Sequence, residues 1–393
     1  MSKQLIDRSP DLKRLRDEGY DVEVDAVAHL VVRDIPYVNS SRVIKHGTLV
    51  STLTLAGDVT TRPDGHVAYF RGDQPCAADG REIEQIKNTS RPPNGISANL
   101  TFSAKPTPSG FYEDYYDKVT AYIAILSGPA IALDSSVTAK TFPPIPTEDQ
   151  DGSPFHYLDT ASSRAQITSV TKKLENKKIA IVGLGGTGSY VLDLVAKTPV
   201  KEIHLFDGDG FLSHNAFRSP GAPSLEDLRG KPRKAAYFKA IYSKMHRGIV
   251  DHEDYATDAN TELLREMDFV FLCVDNGPSR KLLVQKLEQF GISFIDVGMG
   301  IDLTDDELGG ILRITASTPK QREHLRSRVS FAEADDREEY ASNIQIADMN
   351  ALNAALAVIK WKKLFGFYRD LEHEYTSTYT IDGNHLTNVD RLA

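Results

Sequence analysis

The chain has 393 residues, 40% hydrophobic and 26% charged, with a formal net charge of −9. That length exceeds one comfortable core and predicts two domains, while the acidic balance excludes non-specific nucleic-acid binding, which needs a basic surface. The only two cysteines, Cys76 and Cys273, exclude a disulfide framework and a Cys-x-x-Cys zinc site.

The opening "MSKQLIDRSPDLKRL" has no apolar leader core, and no run nears the about 20 apolar residues that span a bilayer. A cytoplasmic protein without a membrane partner is the expectation. Across residues 1–140, "HLVVRDIPYV", "GTLVSTLTLAG", "HVAYFRG" and "ISANLTFSAK" read as short strands separated by Gly, Asn, Asp and Pro. One helix is expected from Tyr112 to Leu126, giving a smaller α+β domain of unassigned role. Cys76, in "GDQPCAADG", reads as a structural turn residue. The Pro-, Asp- and Gly-rich stretch "AKTFPPIPTEDQDGSP" marks a linker, taken as residues 141–160.

From 161 to 393 strands and helices alternate. "KIAIVGL", "EIHLFDGD", "FVFLCVD" and "SFIDVGM" read as strands, with helices at 187–197, 231–246, 260–266 and 278–290. Apolar strands alternating with helices predict an α/β, Rossmann-like and mostly parallel sheet covered on both faces. Cys273, inside "FVFLCVD", reads as a small core residue. Within Thr304 to Ala341, "PKQREHLRSRVSFAEADDREEY" is dense in charge and reads as a solvated loop or surface helix. Ile346 to Phe367 has helical apolar spacing and carries the single tryptophan.

Chemistry concentrates around "KKIAIVGLGGTGSYVLDLVAK", a strand, a glycine turn and a helix start. Gly183, Gly185, Gly186 and Gly188 fall within six residues, a turn suited to hold phosphate on a helix N-terminus. Asp207 ends the next strand, 19 residues after Gly188, where a ribose-binding acid is expected. That pattern alone serves a nicotinamide coenzyme as well as ATP. "FDGDGFLSHNAFRSP" then gathers Asp207, Asp209, Asn215 and Arg218, and "RGKPRKAAYFKA" brings Lys231, Arg233 and Lys234 to a helix start. "LCVDNGPSRKLL" ends another strand with Asp275 and Asn276, followed by Arg280. Strand C-termini share one edge of a parallel sheet, so these groups converge over the glycine turn. Cations that stabilise a transferring phosphorus and an acid that holds Mg²⁺ are what adenylation needs. Hydride transfer needs neither.

Over Ser162 to Val389 these motifs resemble the ThiF/MoeB/E1-like adenylyltransferases, which use ATP to activate the C-terminal carboxylate of a ubiquitin-like protein. The resemblance implies that Gly183, Gly185, Gly186 and Gly188 form the phosphate turn and that Asp207, with Asp209 beside it, serves the nucleotide. It implies that Asn215 and Arg218 contact the ATP phosphates and that Asp275 binds Mg²⁺. The family lysine matches Lys234, with Lys231 as the other candidate. Arg164, in "SSRAQI", resembles an arginine that the family inserts into the partner subunit's ATP site, which implies a homodimer. The family's crossover segment would be residues 304–341. Residues 300–345 contain no cysteine, so a conventional thioester is not expected. The adenylate is expected to pass directly to a partner enzyme, such as an E2-like protein, or to an amine. The alternative is an oxyester on Thr304, Thr315, Ser317, Thr318, Ser327, Ser330 or Ser342, with Ser327 near His324 the most suggestive pair. The N-terminal region and "IQIADMNALNAALAVIKWKKLFGFY" look similar to bacterial E1-like proteins of ubiquitin-like conjugation operons, which implies a β-grasp substrate and a defence role. A nicotinamide-dependent oxidoreductase and a non-catalytic scaffold that docks a ubiquitin-like protein are the competing readings.

Overall fold

The computed structural model describes residues 2–148, 152–331 and 344–391. Its contacts divide the chain into two units, Met1–Ile145 and Pro146–Ala393.

The first unit opens with two short helices not foreseen in the sequence, α1 (Ser2–Arg8) and α2 (Pro10–Asp17). Pro10 suits the first turn of α2, where its missing N–H is no loss. β1 (Asp21–Val24), β2 (His29–Val38) and β3 (Ile44–Thr52) form an antiparallel meander. A two-stranded hairpin of β4 (Leu55–Ala56) and β5 (Val59–Thr60) follows. β6 (Val67–Arg71), β7 (Lys87–Asn88) and β8 (Leu100–Ser103) complete a sheet of order β1-β2-β3-β6-β8-β7. Against it packs α3 (Tyr115–Leu133), whose Asp114 caps the N-terminus by accepting from the Asp117 N–H at 2.8 Å. α3 buries Tyr115, Val119, Tyr122 and Leu126 with Leu30, Val32, Phe70 and Phe102. The helix continues about two turns past the expected Leu126, carrying Pro129 inside it. Cys76 is fully buried, bridged in the backbone to Val38 and Glu82, and burial with Glu82 and Asp79 nearby pushes its thiol up.

In the second unit, part of the stretch expected as linker is packed structure. Arg247 donates to the carbonyl oxygens of Thr147 and Phe155 and to Thr147 Oγ1, and Phe155 sets its ring edge against buried His246. Residues 149–151 of that stretch lie outside the described residues. Two short helices, α4 (Thr160–Arg164) and α5 (Thr168–Thr171), lead to β9 (Lys178–Val182), the glycine turn and α6 (Gly186–Val195). β10 (Glu202–Phe206), α7 (Ser213–Ala216), α8 (Leu225–Gly230), α9 (Lys234–Tyr242) and β11 (Ile249–His252) come next. β12 (Phe269–Leu272), α10 (Gly277–Phe290) and the long hairpin of β13 (Ser293–Thr304) and β14 (Glu307–Ser317) follow. α11 (Leu325–Arg328), α12 (Ala347–Leu364), β15 (Thr376–Thr380) and β16 (His385–Val389) end the unit.

The sheet runs β11-β10-β9-β12-β13-β14-β15-β16, parallel from β11 to β13 and antiparallel beyond. This is the α/β Rossmann-like architecture that the strand–helix alternation predicts. The chain order breaks beside β9, whose neighbours β10 and β12 leave in opposite directions across the sheet; that break is where such sheets open a crevice. Ile179, Ile181, Phe271 and Ile295 pack beneath α6 and α12, with Trp361 fully buried against Phe271. The other face is covered by α10 through Leu283, Val284 and Leu287. The residues read as a charged crossover begin as strand: β14 takes Glu307–Ser317, and 332–343 lie outside the described residues. Among the described residues no helix is long and apolar enough to cross a membrane.

One buried cation in the first unit gives a pH test. Lys118 is 1% exposed, its Nζ donates to the Gly65 carbonyl at 3.0 Å, and burial lowers its pKa to about 8. Below pH 8 the lysine is charged in folded and unfolded chains alike, and folding bears the full cost of burying it. Between about 8 and the free-lysine value of about 10.4 the unfolded chain holds more protons, so stability rises with pH. The stability difference between wild type and Lys118→Met is expected to move in the wild type's favour between pH 8 and about 10, read by denaturant titration. A difference constant with pH would refute the burial.

Candidate functional site

The glycine turn is built from backbone approaches that leave no room for side chains. Gly183 has φ +89°, and a Cβ there would sit 2.5 Å from the Cys273 carbonyl oxygen. A Cβ on Gly188 would lie 1.9 Å from the Gly183 carbonyl oxygen, so this glycine lets α6 seat on the turn. At Gly186 the obstacle is the Asn350 side chain, at 2.1 Å. Gly185 is different: nothing lies within 4 Å of its Cβ position, and it forms the N-cap of α6 with no side chain capping the first turn. The free N–H groups of that turn therefore face a cavity of about 1180 Å³ lined by Gly183, Gly185, Gly186 and Thr187. That volume accommodates a nucleotide with space for the end of a second substrate.

Carboxylates pin the turn to the next strand. Asp207 is 7% exposed; its Oδ2 accepts from the Leu184 N–H at 2.6 Å and its Oδ1 from the Asp209 N–H at 2.9 Å. Burial raises its pKa despite the Lys234 charge at 3.7 Å. Both oxygens keep spare lone pairs, and the residue lines the cavity. Burial also works against the Asp209 carboxylate, but hydrogen bonds from Lys234, at 2.7 Å, and from Tyr255 outweigh it and hold the group below its usual range.

The cations divide into those that reach the cavity and those that do not. Lys234, first residue of α9 and 6% exposed, lines it beside Asp207 and Asp209. Lys231 caps the C-terminus of α8 in left-handed backbone, φ +45°, and its exposed side chain is absent from the cavity wall. Arg218 lines the cavity half-buried, its pKa lowered by burial, and its Nε has no hydrogen-bond partner among the described residues. Asn215 is 3% exposed and lies behind the wall. Its Oδ1 accepts from the Leu212 N–H at 2.8 Å, while its Nδ2 has no partner among the described residues. Arg164, in the last turn of α4, is exposed and away from the cavity of its own chain.

Asp275 follows β12, is exposed, lines the cavity, and its carboxylate has no hydrogen bond or ion pair among the described residues. Beside it Asn276 caps α10 by accepting from the Ser279 N–H at 2.9 Å. Among the described residues no group of three or more His, Cys, Asp or Glu side chains could hold a metal by itself. One unengaged carboxylate suits Mg²⁺, which takes one or two carboxylates plus phosphate oxygens and water. An open helix N-terminus, Lys234 and Arg218 suit a polyphosphate.

Cys273, read as a core residue, reaches the cavity wall, with burial first and then Asp296 pushing its thiol up. Of the hydroxyls considered for an oxyester, Thr315 and Ser317 are fully buried and Ser342 lies outside the described residues. Ser327 donates to the His324 carbonyl at 2.8 Å, and the His324 ring nitrogen Nε2 pairs with the Ala316 carbonyl. The pair has no base–hydroxyl contact.

Several contributors escaped the sequence reading. Asn350 in α12 accepts from the Thr187 hydroxyl at 2.9 Å and donates to the Ile346 carbonyl. Asn353 donates to the Gly298 carbonyl at 3.2 Å, and its Oδ1 is buried with no partner among the described residues. Two amides three residues apart in the otherwise apolar "MNALNAALAVIKW" were the available signal, since such groups are costly in a core without partners. Tyr255 and Arg313 also line the cavity.

Residues 160–389 match the sequence model of the ThiF family, and residues 10–160 match that of a domain of unknown function, DUF6791. Ubiquitin-like modifier-activating enzyme 5 of Drosophila ananassae is 24% identical over 160 residues, covering 38% of this chain and 40% of that protein. tRNA threonylcarbamoyladenosine dehydratase of Haemophilus influenzae is 25% identical over 136 residues, 34% of this chain and 51% of that protein. The matches thus span about half or less of these relatives. Among solved structures, E. coli MccB with ATP aligns over 59% of this chain and 70% of its own, at 20% identity and a TM-score of 0.45.

The two glycines at opposite ends of the turn separate fold from ligand. Gly188→Ala is expected to destabilise the second unit by about 3 kcal/mol or more through backbone overlap. Gly185→Ala should cost no more than about 1 kcal/mol. Denaturant midpoints of the two variants check this, and equal midpoints would refute the assignment of separate roles.

Proposed function

The chain belongs to the ThiF family, whose model covers residues 160–389, and from that premise we propose that it is an ATP- and Mg²⁺-dependent adenylyltransferase. Its substrate is the C-terminal carboxylate of a ubiquitin-like, β-grasp polypeptide. The observation that carries this reading is the convergence, in one cavity, of the open α6 N-terminus with Lys234, Arg218 and Asp275. A carboxylate oxygen attacks the α-phosphorus of ATP, the bond to the bridging oxygen breaks, and pyrophosphate leaves with that electron pair. Backbone N–H groups at Gly185 to Thr187 hold phosphate oxygens, and Asp207 takes the ribose hydroxyls. Lys234 and Arg218 offset the charge that develops on the phosphate oxygens, and Asp275 holds Mg²⁺. Asn215 supports the Arg218 loop from behind. Lys231 has no part in the site.

The acyl adenylate then passes directly to a partner enzyme or an amine. Three observations support direct transfer: Cys76 is buried, the Cys273 thiol is pushed away from its nucleophilic form, and the Ser327–His324 pair lacks a base contact. The active form is a homodimer, with Arg164 of each chain serving the other's site; Arg164 is exposed at the end of α4 and is not among the residues lining the cavity of its own chain.

ATP–pyrophosphate exchange in the presence of a candidate β-grasp protein tests the reaction. Asp275→Ala is expected to lower exchange by at least about a hundredfold while the melting temperature stays that of the wild type. Exchange near the wild-type rate in that variant would sink the proposal.

A further inference from the structure

Outside the phosphate-facing groups, one buried charge cluster at the cavity has no role yet. Asp296 in β13 is fully buried, and two guanidinium groups converge on it, Arg280 at 3.0 Å from Oδ1 and Arg313 at 2.6 Å from Oδ2. Both arginines line the cavity. Gly298 makes room for the arrangement, since a Cβ there would meet the Arg313 guanidinium at 2.7 Å. A buried ion triad of this kind is seldom more stable than an apolar replacement of the same volume, so packing alone gives no reason for it.

Position does. Arg280, from the first turn of α10, ties three segments: it pairs with Asp296 in the sheet and donates to the Val274 carbonyl and to the Ser330 carbonyl at 3.1 Å. Val274 directly precedes Asp275. On the other side Asn276 is fixed by its capping bond to Ser279. The main chain at Asp275 is therefore held from both directions, while among the described residues its carboxylate meets only the charge of Arg218. Mg²⁺ demands near-ideal octahedral geometry, so a ligand carried on a loop needs such restraint.

We propose that Asp296 is a positioning residue that, through Arg280, sets the Val274–Asn276 turn so that Asp275 meets Mg²⁺ on a nucleotide's polyphosphate. The proposal rests on the reading of Asp275 as the metal-binding acid. Removing the Asp296 charge leaves two guanidinium groups facing each other without a counter-ion, and Arg280 loses the anchor from which it holds Val274.

The test is calorimetric ATP binding to the full chain, once with Mg²⁺ and once with EDTA. Magnesium is expected to tighten binding to the wild type. In Asp296→Asn that gain should fall by about tenfold, with the magnesium-free affinity unchanged; a purely structural defect would weaken both. Arg280→Lys, which keeps the charge but cannot reach three partners, should behave alike and stands in if Asp296→Asn folds poorly. Asp275→Ala should abolish the gain, and adding Asp296→Asn to it should change nothing further. A full magnesium gain in Asp296→Asn or Arg280→Lys overturns the proposal, and so does an equal loss with and without magnesium. A gain that survives in Asp275→Ala overturns the metal assignment itself and the proposal with it.

Discussion

The second unit depends on one approach of backbone to backbone. Gly188 places α6 against the Gly183 carbonyl, and no residue with a Cβ could stand there. Because that contact is made at the end of β9, the helix N-terminus arrives where β10 and β12 part. Asp207 then reaches from the end of β10 to the Leu184 N–H, joining strand to turn. The anion-facing N–H groups are thus fixed by the fold before any ligand arrives, which is what makes such a site effective.

Charge around the turn is sorted by how firmly each group is already engaged. Lys234 is buried between two carboxylates and can only face where they aim it. Among the described residues Arg218 Nε has no hydrogen-bond partner, and the Asp275 charge faces Arg218 on the same cavity wall. Leaving a half-buried cation incompletely bonded costs stability. The cost is tolerated at sites where the missing partner comes from outside the chain.

Sequence reading succeeded where local pattern and tertiary structure agree. The apolar runs of β9, β10, β12 and β13 read as strands, and β9, the four glycines, β10 and Asp207 follow one another within about thirty residues. Lys234 and Lys231 could not be separated by pattern, because the distinction lies in a left-handed cap at Lys231. Asn215 has the spacing for a phosphate contact, but the turn that engages its oxygen with the Leu212 N–H is visible only in the structure. β14 was hidden because "DDELGG", the turn and its first residues, reads as loop, whereas β13 pairs with the strand along its whole length and β15 with Ile311 to Thr315. Thr147 and Phe155 sit in linker composition but are held by Arg247, 100 and 92 residues away in sequence. Contacts of that range leave no local trace.

The bond between Thr187 and Asn350 has a consequence for synthesis. The first unit holds its whole core within 145 residues and can close while translation continues. The glycine turn and α6 are made early in the second unit, but the amide that buttresses them lies 163 residues downstream. Trp361, which fills the space beneath Phe271, comes later still. A ribosome-bound chain that ends before α12 has a turn shaped for phosphate and an apolar sheet face open to water. Nascent chains at that stage are where a chaperone would be needed, and a truncation there would expose the sheet rather than trim a site.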